Sequence, residues 1–354
     1  AIVAGHMHVV LNDLSLKNPD GKVVPVVEPG KYGQNVSQID IGIGADGKII
    51  SLTTNNIKMD STIPADAEIT EKIAKPYQDA TLKYVKTKIG VSKGEYTGDG
   101  QTLRPTAIME LINKVQMEGA GTQLSIAAPL SASARIPEGD ITIQDIMSVY
   151  VYENFLYGIK MNGKQIKDWL EWSARYYGQV SSPNEPIAKD AKLNIPDYNL
   201  DQLYGATYDI DITEPAGSRI KNLRYNGKPI KADDVFTVAI NNYRYNGGGG
   251  FMNAAGISNT DPSLVVYDSA KALGDDGQVR NMMIKYIEDH KTITPTVSEN
   301  WKIYTTTVQN VESGSLPKTG SPIDTASVVN LGGLFISLGV VTLNKSRKED
   351  DLAA

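Results

Sequence analysis

The chain has 354 residues, three histidines, no cysteine and a formal net charge of −6, and 41% of its residues are hydrophobic. Its length suits two ordinary domains, or one large domain with appendages, and its apolar content supports a real core. The absence of cysteine excludes disulfides, thiol catalysis and zinc–thiolate sites. The mild acidity argues against a nucleic-acid polymer as a partner, since phosphate backbones require clustered Lys and Arg.

Residues 1–60 predict short strands and turns, the edge of a β-rich layer. Alternating apolar residues over 36–43 indicate a strand, and Asp46-Gly47 indicates the hairpin turn that follows it. Residues 61–93 predict a helical connector between domains. Pro76 lies inside its helical pattern and should kink or divide the helix.

Residues 94–304 predict one mixed α/β domain. A helix with Ile108 and Leu111 inward ends at Gly119, and the Asn162-Gly163 pair predicts a turn between a strand and a helix that contains Trp169. Further strands are expected at 124–128, 155–161, 208–212 and 235–241, and further helices near 142 and over 278–290. His290, in the last turn of the final helix, is interpreted as structural.

Residues 305–354 predict a polar linker and a sorting signal. Residues 316–320 read Leu-Pro-Lys-Thr-Gly, an uncharged apolar run covers 326–343, and a basic cluster follows. As a helix the run of about 18 residues spans roughly 27 Å, close to the ~30 Å bilayer core, and the basic residues keep its end cytoplasmic. A buried core helix beside a chance pentapeptide is the alternative.

That assembly resembles the cell-wall sorting signal of Gram-positive surface proteins. The resemblance implies that a sortase cleaves between Thr319 and Gly320 and joins the threonine to peptidoglycan, after a transient membrane insertion of the apolar run. We therefore expect an extracellular protein that is covalently attached to the wall. Because the chain begins without an export signal, we also expect it to be the C-terminal part of a longer parent protein.

His6 and His8 are two residues apart, so on an extended segment both imidazoles can leave the same side and approach a metal. The alternative is an incidental pair at a strand end. An apolar strand entering Gly-His-x-His resembles the last metal-binding block of the calcineurin-like metallophosphoesterases. That family uses two divalent ions, Mn, Zn or similar, to activate water. The family's earlier blocks are absent here, so we expect this chain alone to be inactive.

A second resemblance covers more of the chain. Residues 150–154 (Tyr-Val-Tyr-Glu-Asn) with the strand and helix that follow, and residues 238–251 with four successive glycines, are similar to the C-terminal domain of the 5′-nucleotidase family. The resemblance implies a nucleoside-binding domain in which Tyr152 and Tyr243 sandwich the base and Asn154 bonds its edge. Base–aromatic stacking contributes ~1–3 kcal/mol per base. The alternative is that both tyrosines are half-buried strand-end residues.

Further candidate residues for substrate binding surround this pair. Asn246, Gly248 and Phe251 belong to the glycine block, which we interpret as a close-approach loop because no Lys-Ser/Thr follows as a P-loop requires. A flexible turn or a phosphate cradle are the alternatives. Arg135 and Arg104 are candidates for ribose or phosphate contact, although a loop arginine is usually solvated or ion-paired.

The family often has Asp where Gly249 stands here, and its aromatic pair is commonly Phe. The difference favours the 2′,3′-cyclic-nucleotide 2′-phosphodiesterase/3′-nucleotidase branch. We therefore expect the substrate-binding part of a wall-anchored nucleotide phosphohydrolase, monomeric, whose metal-dependent parent hydrolyses 2′,3′-cyclic nucleotides and 3′-nucleotides. The alternatives are a 5′-nucleotidase of the same architecture and a wall-anchored nucleoside-binding adhesin without catalysis.

Overall fold

The computed structural model describes residues 1–308, which divide into two compact units. The first unit comprises Ala1–Lys88 with Thr142–Gln144, and the second comprises Ile89–Ile141 and the described residues from Asp145 onward. Helices and strands are both present, and the predicted mixed α/β class is confirmed. The predicted sorting signal, including Thr319, Gly320 and the membrane segment 326–343, lies outside the described residues.

The first unit contains a small sheet and a long hairpin. Its strands are β1 (Ile2–Val3), β2 (Val10–Asp13), β3 (Val26–Pro29), β4 (Asn35–Ile43) and β5 (Ile49–Lys58). Strand β3 lies between β1, to which it is parallel, and β2, to which it is antiparallel. Strands β4 and β5 pair along their length, and Gly47 takes a φ of +77° in the turn that the sequence predicts.

The predicted connector helix is divided in two. A π-helical segment covers Ile69–Ala74, and the α-helix α1 (Lys75–Val85) follows with Pro76 in its first turn. Proline is tolerated there because the first turn of a helix has no partner for its N–H groups. The apolar stripe of this helix includes Ile69, Ile73 and Tyr77, which are exposed.

Residues 88–308 form four sheets. Their strands are β6 (Lys88–Ser92), β7 (Tyr96–Thr97), β8 (Leu124–Ala127), β9 (Arg135–Ile136), β10 (Gly139–Thr142), β11 (Leu156–Asn162), β12 (Gln202–Tyr204), β13 (Thr207–Asp211), β14 (Ile220–Tyr225), β15 (Lys228–Pro229), β16 (Val235–Asn241), β17 (Val265–Asp268), β18 (Thr292–Ile293) and β19 (Trp301–Tyr304). The largest sheet has the order β12-β8-β16-β11-β17, and the others are β15-β14-β13-β19, β10-β6-β18 and β7-β9.

The helices of this region agree with the apolar periodicity of the sequence. The α-helices are α2 (Ala107–Ala120), α3 (Ile143–Val149), α4 (Gly163–Ala174), α5 (Asn242–Tyr245), α6 (Phe251–Ala254), α7 (Ser269–Leu273) and α8 (Val279–His290). Short 3₁₀ turns occur at Asp197–Asn199, Gly248–Gly250, Pro262–Leu264 and Gly274–Gly277. No helix within residues 1–308 is long and apolar enough to cross a membrane.

The predicted Asn162-Gly163 turn is instead a direct strand-to-helix junction. Asn162 caps α4 by accepting a hydrogen bond from Gln165 N, and the Gln165 side-chain oxygen accepts one from Asn162 N, which completes a capping box. A Cβ at Gly163 would collide with the carbonyl oxygen of Lys231. Glycine is therefore needed at this junction for close approach of two main chains.

The core of this region lies between α4 and the largest sheet. Trp169 and Ile166 of α4 are fully buried, and they belong to one cluster with Ile159 and Val238 of the central strands. Burying large aromatic and aliphatic side chains is the main favourable term in folding. The central strands β11 and β16 are thereby held in fixed register, which sets the positions of the segments at their ends.

Candidate functional site

Two neighbouring strands bring the predicted tyrosine segments to one edge of the largest sheet. Strands β11 and β16 are antiparallel, and their register pairs Leu156 with Asn241. Tyr152 precedes β11 and Tyr243 follows β16, so both side chains belong to the segments that leave the sheet at this edge. The sequence predicts these strands, and their antiparallel pairing brings the two segments to the same edge of the sheet.

Hydrogen bonds tie these two segments together. Asn242 N donates to Phe155 O at 2.8 Å, and Phe155 N donates to the Asn242 side-chain oxygen at 3.1 Å. Asn241 caps α5 by accepting from Arg244 N at 2.9 Å. These contacts fix where the short helix with Tyr243 begins relative to the segment that enters β11.

The two candidate rings are half exposed. Tyr152 is 45% exposed and Tyr243 is 47% exposed, whereas their neighbour Tyr150 is fully buried. Burial raises the pKa of Tyr150 to about 12, so its hydroxyl stays protonated at neutral pH. Half-exposed rings at a sheet edge retain surface for a planar ligand.

Asn154 contacts the buried Tyr150 and the first residue of α8. Its side-chain nitrogen is 3.4 Å from the Tyr150 hydroxyl, and its main-chain oxygen accepts from Val279 N at 2.8 Å. The residue is partly buried and is held by its main chain at the N-terminus of α8. This placement orients the carboxamide without using all of its hydrogen-bonding groups.

The four glycines form a tight loop against Tyr243. Gly247, Gly249 and Gly250 have φ values of +94°, +73° and +77°, which other residues rarely adopt. Gly248 has an ordinary φ, but a Cβ there would come within 2.5 Å of the Tyr243 ring. The ring therefore lies directly against the Gly248 main chain, as a close-approach loop requires.

Arg244 holds this loop from inside and was not assigned a role from the sequence. The side chain is 3% exposed, and its Nη2 is 2.8 Å from Asp201 Oδ1. It also donates to the main-chain oxygens of Tyr198 at 2.6 Å and Gly248 at 3.2 Å. Its guanidinium lies 4.3 Å from the centre of the Phe251 ring.

Trp172 is a second residue that the sequence did not single out. Its indole Nε1 donates to Gly249 O at 2.8 Å, and the guanidinium of Arg175 lies over its ring. The main-chain oxygens of Gly248 and Gly249 therefore each accept a hydrogen bond from a side chain, the first from Arg244 and the second from Trp172. Phe251, a predicted binding residue, is buried beneath the loop, with its ring 5.2 Å from Trp169.

The remaining candidates of this group have defined positions. Asn246 is exposed and ends α5. Arg135 pairs with Glu95 at 2.7 Å and with Asp99 at 2.6 Å, and the hydrogen bond to Glu95 raises the pKa of its guanidinium further. Arg104 is 3.4 Å from Asp99 O, so the structure brings the two arginines together around Asp99.

The two candidate metal ligands lie in the first unit. His6 and His8 take φ values of +75° and +59°, so the segment is bent, and the expectation of an extended segment is wrong. Both imidazoles are exposed and their ring centroids are 6.4 Å apart. Within residues 1–308 no three His, Asp or Glu side chains are grouped closely enough to hold a metal ion.

Comparison with known families gives one match to this region. Residues 88–256 match the family described as 5′-nucleotidase, C-terminal domain. That range contains both strands of the site, both tyrosines, the glycine run and the Arg244–Asp201 pair.

Curated relatives carry related names. The trifunctional nucleotide phosphoesterase protein YfkN of Bacillus subtilis is 27% identical over 352 residues, which cover 86% of this chain and 23% of the relative. A 2′,3′-cyclic-nucleotide 2′-phosphodiesterase/3′-nucleotidase of Haemophilus influenzae is 26% identical over 358 residues, which cover 85% of this chain and 52% of the relative. The chain thus spans about a quarter to a half of the length of these relatives.

Solved structures support the fold. A Staphylococcus aureus protein described as a 5′-nucleotidase superposes with a TM-score of 0.65 at 19% identity, covering 85% of this chain and 55% of that one. A 5′-nucleotidase precursor from Thermus thermophilus superposes with a TM-score of 0.52 at 20% identity. The match covers 86% of this chain and 59% of that one. Together with the family match over residues 88–256, these findings show that the chain has the mixed α/β fold of 5′-nucleotidase C-terminal domain structures, and that its relatives are named as nucleotide phosphoesterases and nucleotidases.

Proposed function

We propose that this chain is the substrate-binding part of an exported nucleotide phosphohydrolase whose parent hydrolyses 2′,3′-cyclic nucleotides and 3′-nucleotides. Tyr152 and Tyr243 stack on opposite faces of the base, and Asn154 bonds its edge. The observation that carries the proposal is the β11–β16 register, because it places both tyrosine segments at one sheet edge. Stacking of this kind contributes ~1–3 kcal/mol per base and tolerates different bases.

The glycine loop completes the proposed slot. Because Gly248 has no Cβ, the Tyr243 ring can lie against the main chain, and exposed Asn246 at the end of α5 can contact the nucleoside. Phe251 supports the loop from the core side. Arg135 and Arg104 are proposed to contact the ribose or phosphate. Arg135 is held by the Asp99 carboxylate and Arg104 by the Asp99 main-chain oxygen, which limits how far they can move.

Gly249 supports the choice of branch. A Cβ there would lie 2.8 Å from Arg244 Nη1 and from the side-chain oxygen of Asn199, and φ is already +73°. An Asp at this position is therefore incompatible with the present Arg244 contacts. Relatives named 2′,3′-cyclic-nucleotide 2′-phosphodiesterase/3′-nucleotidase also match more of the chain, 85% for one against 60% for a 5′-nucleotidase of Vibrio vulnificus. A 5′-nucleotidase of the same architecture is the second candidate, on the evidence of that relative.

We propose that His6 and His8 bind divalent metal, Mn²⁺, Zn²⁺ or similar, together with further ligands of the parent protein. Bound metal would supply an activated water and neutralise charge on the phosphoryl oxygens. The exposure of both imidazoles suits this role. Since two histidines cannot hold two metals, we expect no phosphodiesterase activity from the chain by itself.

The residues beyond 308 add a proposal about location. We propose that sortase cleaves between Thr319 and Gly320, and that the apolar segment 326–343 inserts transiently in the membrane before the protein is joined to peptidoglycan. The order of the pentapeptide, the apolar run and the basic cluster supports this. The proposed protein is a wall-attached, extracellular monomer.

Ligand-dependent stability tests the nucleoside site. A ligand at 100 times its Kd stabilises the folded state by about 2.7 kcal/mol, so adenosine and 3′-AMP should raise the Tm of the chain. Ribose at the same concentration should not, because it lacks the base. An adhesin that has lost nucleoside binding would show no shift with any of the three, and that result would refute the proposal.

A further inference from the structure

The segment that carries Tyr152 is irregular. Residues 151–154 lie between α3 and β11 and belong to neither element, so no helical turn or sheet ladder fixes the position of Tyr152. The position of such a segment depends on individual contacts with its neighbours, and irregular segments open at a low cost in free energy. The contacts of residues 151–154 therefore decide how firmly this side of the proposed base slot is held.

The first turn of α8 contacts this segment twice. Val279 N donates to Asn154 O at 2.8 Å. One residue further along the helix, Arg280 Nη2 donates to Glu153 Oε1 at 3.1 Å and forms an ion pair with it. Glu153 and Asn154 directly follow Tyr152 in the chain, so α8 holds the segment next to the candidate ring through both a main-chain and a side-chain contact.

Helix stability does not explain an arginine at this position. The N-terminal turn of a helix carries a partial positive charge, which disfavours a cation there and favours a carboxylate nearby. The pairing with Glu153 does explain it. The Arg280 side chain is only 14% exposed, whereas that of Glu153 is 72% exposed, so a largely covered guanidinium holds a carboxylate that would otherwise move freely in solvent.

We propose that Arg280 is a positioning residue for nucleoside recognition. Through its ion pair with Glu153, it holds the Tyr152 segment in the binding conformation before the ligand arrives. A segment that is already ordered loses less conformational entropy when the base binds, which raises affinity without a new contact to the ligand. This inference rests on the proposed stacking of Tyr152 and Tyr243 on the base.

Calorimetric titration of the full chain with adenosine tests the role of the pair. Arg280→Met and Glu153→Gln should each weaken adenosine binding about twofold to fivefold, the range for an ion pair that is exposed on one side. Glu153→Gln removes only an exposed charge, so its effect does not depend on a change in folding. Lys285→Met is the matched control. It breaks the exposed Lys285–Asp289 pair within the same helix and should leave adenosine affinity unchanged.

Salt dependence distinguishes the ion pair from a packing role of the arginine stem. Adenosine is uncharged, and salt screens an exposed ion pair but not apolar packing. Between about 0.05 M and about 1 M NaCl, the affinity ratio of wild type to Arg280→Met should therefore fall towards one. A ratio that is constant with salt, or equal affinities at low salt, would overturn this inference alone. A wild-type chain that does not bind adenosine would refute the proposed function, and this inference with it.

Discussion

Arg244 and Asp201 form a buried ion pair that joins the glycine loop to the turn before β12. Arg244 Nε lies 2.9 Å from Asp201 Oδ2, and Nη2 lies 2.8 Å from Oδ1, in a bidentate geometry. Trp169 Nε1 donates to the same carboxylate at 2.8 Å. The pair therefore links the glycine loop to the main core cluster through Trp169.

Breaking this pair should destabilise the fold. Arg244→Met leaves the Asp201 carboxylate buried without its cation, and we expect the free energy of unfolding to fall by about 3–5 kcal/mol. Urea denaturation of the full chain measures this. The matched control is Asp289→Asn, because the exposed Lys285–Asp289 pair should contribute only ~0–1 kcal/mol. Equal losses in the two variants would mean that the buried pair has no special role.

Gly248 allows a steric test of the slot. Gly248→Ala places a methyl group 2.5 Å from two atoms of the Tyr243 ring, while its backbone φ suits alanine. The ring must move, so nucleoside affinity should fall by roughly 5- to 150-fold, the equivalent of the ~1–3 kcal/mol of one stacking contact. Calorimetric titration with adenosine measures the loss.

Gly178→Ala is the matched control for that variant. Its φ is also ordinary, and the nearest atom to an added Cβ is 3.7 Å away, at Ala188 O. The substitution should therefore leave adenosine affinity unchanged. An unaltered affinity in Gly248→Ala as well would remove the glycine loop from the binding site.

Much of this domain follows from local patterns in the sequence. The helices containing Trp169 and Ile108 and the strands β11 and β16 all have apolar spacing that matches their period. Asn162-Gly163 was misassigned because Asn both favours turns and caps helices. The deciding fact, the approach of Lys231 O to Gly163, comes from a distant part of the chain.

The candidate site was only partly predictable, because some of its contacts also come from distant parts of the chain. Tyr152 and Tyr243 are candidates by resemblance to a family, and the position of their segments at one sheet edge follows from antiparallel pairing. Nothing local indicates that Arg244 pairs with Asp201, since a loop arginine is usually solvated and the partners are far apart in sequence. The left-handed conformations of His6 and His8 are likewise set by surrounding chain, because most residues avoid positive φ.

Buried tyrosines should make the fold sensitive to alkali. Burial raises the pKa of Tyr150 from its ordinary value of 10.0 to about 12 in the folded state, so folding favours the protonated phenol. Its contribution is fully present below about pH 10 and is lost as pH rises through about 12, at up to ~1.4 kcal/mol per pH unit. Urea denaturation at about pH 9 and about pH 11 should show a lower free energy of unfolding at the higher pH. The decrease between the two pH values should be smaller in Tyr150→Phe. An equal decrease in the wild type and in Tyr150→Phe would mean that Tyr150 does not contribute to the alkaline loss of stability.

The proposed sorting signal can be tested in cells. Because sortase requires the pentapeptide while the apolar run only delays export, Thr319→Ala should leave the protein membrane-associated and absent from the wall fraction. Thr325→Ala, just outside the pentapeptide, is the control and should be attached normally. Immunoblots of muramidase-released wall and of membranes measure both, and undiminished wall attachment of Thr319→Ala would refute the anchor.

The base clamp makes the most specific claim about function. If Tyr152 and Tyr243 stack on opposite faces of one base, replacing either ring by alanine should cost about 1–3 kcal/mol, or roughly 5- to 150-fold in adenosine affinity. The two losses should also be non-additive, because the first truncation removes the slot that makes the second ring effective. Calorimetry on the full chain, with both single variants and the double variant, completes the cycle.

The control for that cycle should be a tyrosine with no packing role. Tyr225 is unsuitable, since its ring packs edge-on against Phe236 at 5.1 Å. Tyr77 is 75% exposed on α1, so Tyr77→Ala should leave adenosine affinity unchanged. Equal affinity in wild type and Tyr243→Ala would refute the stacking role. Strictly additive losses would instead place the two rings at separate contacts, because only rings that share one base lose their effect together.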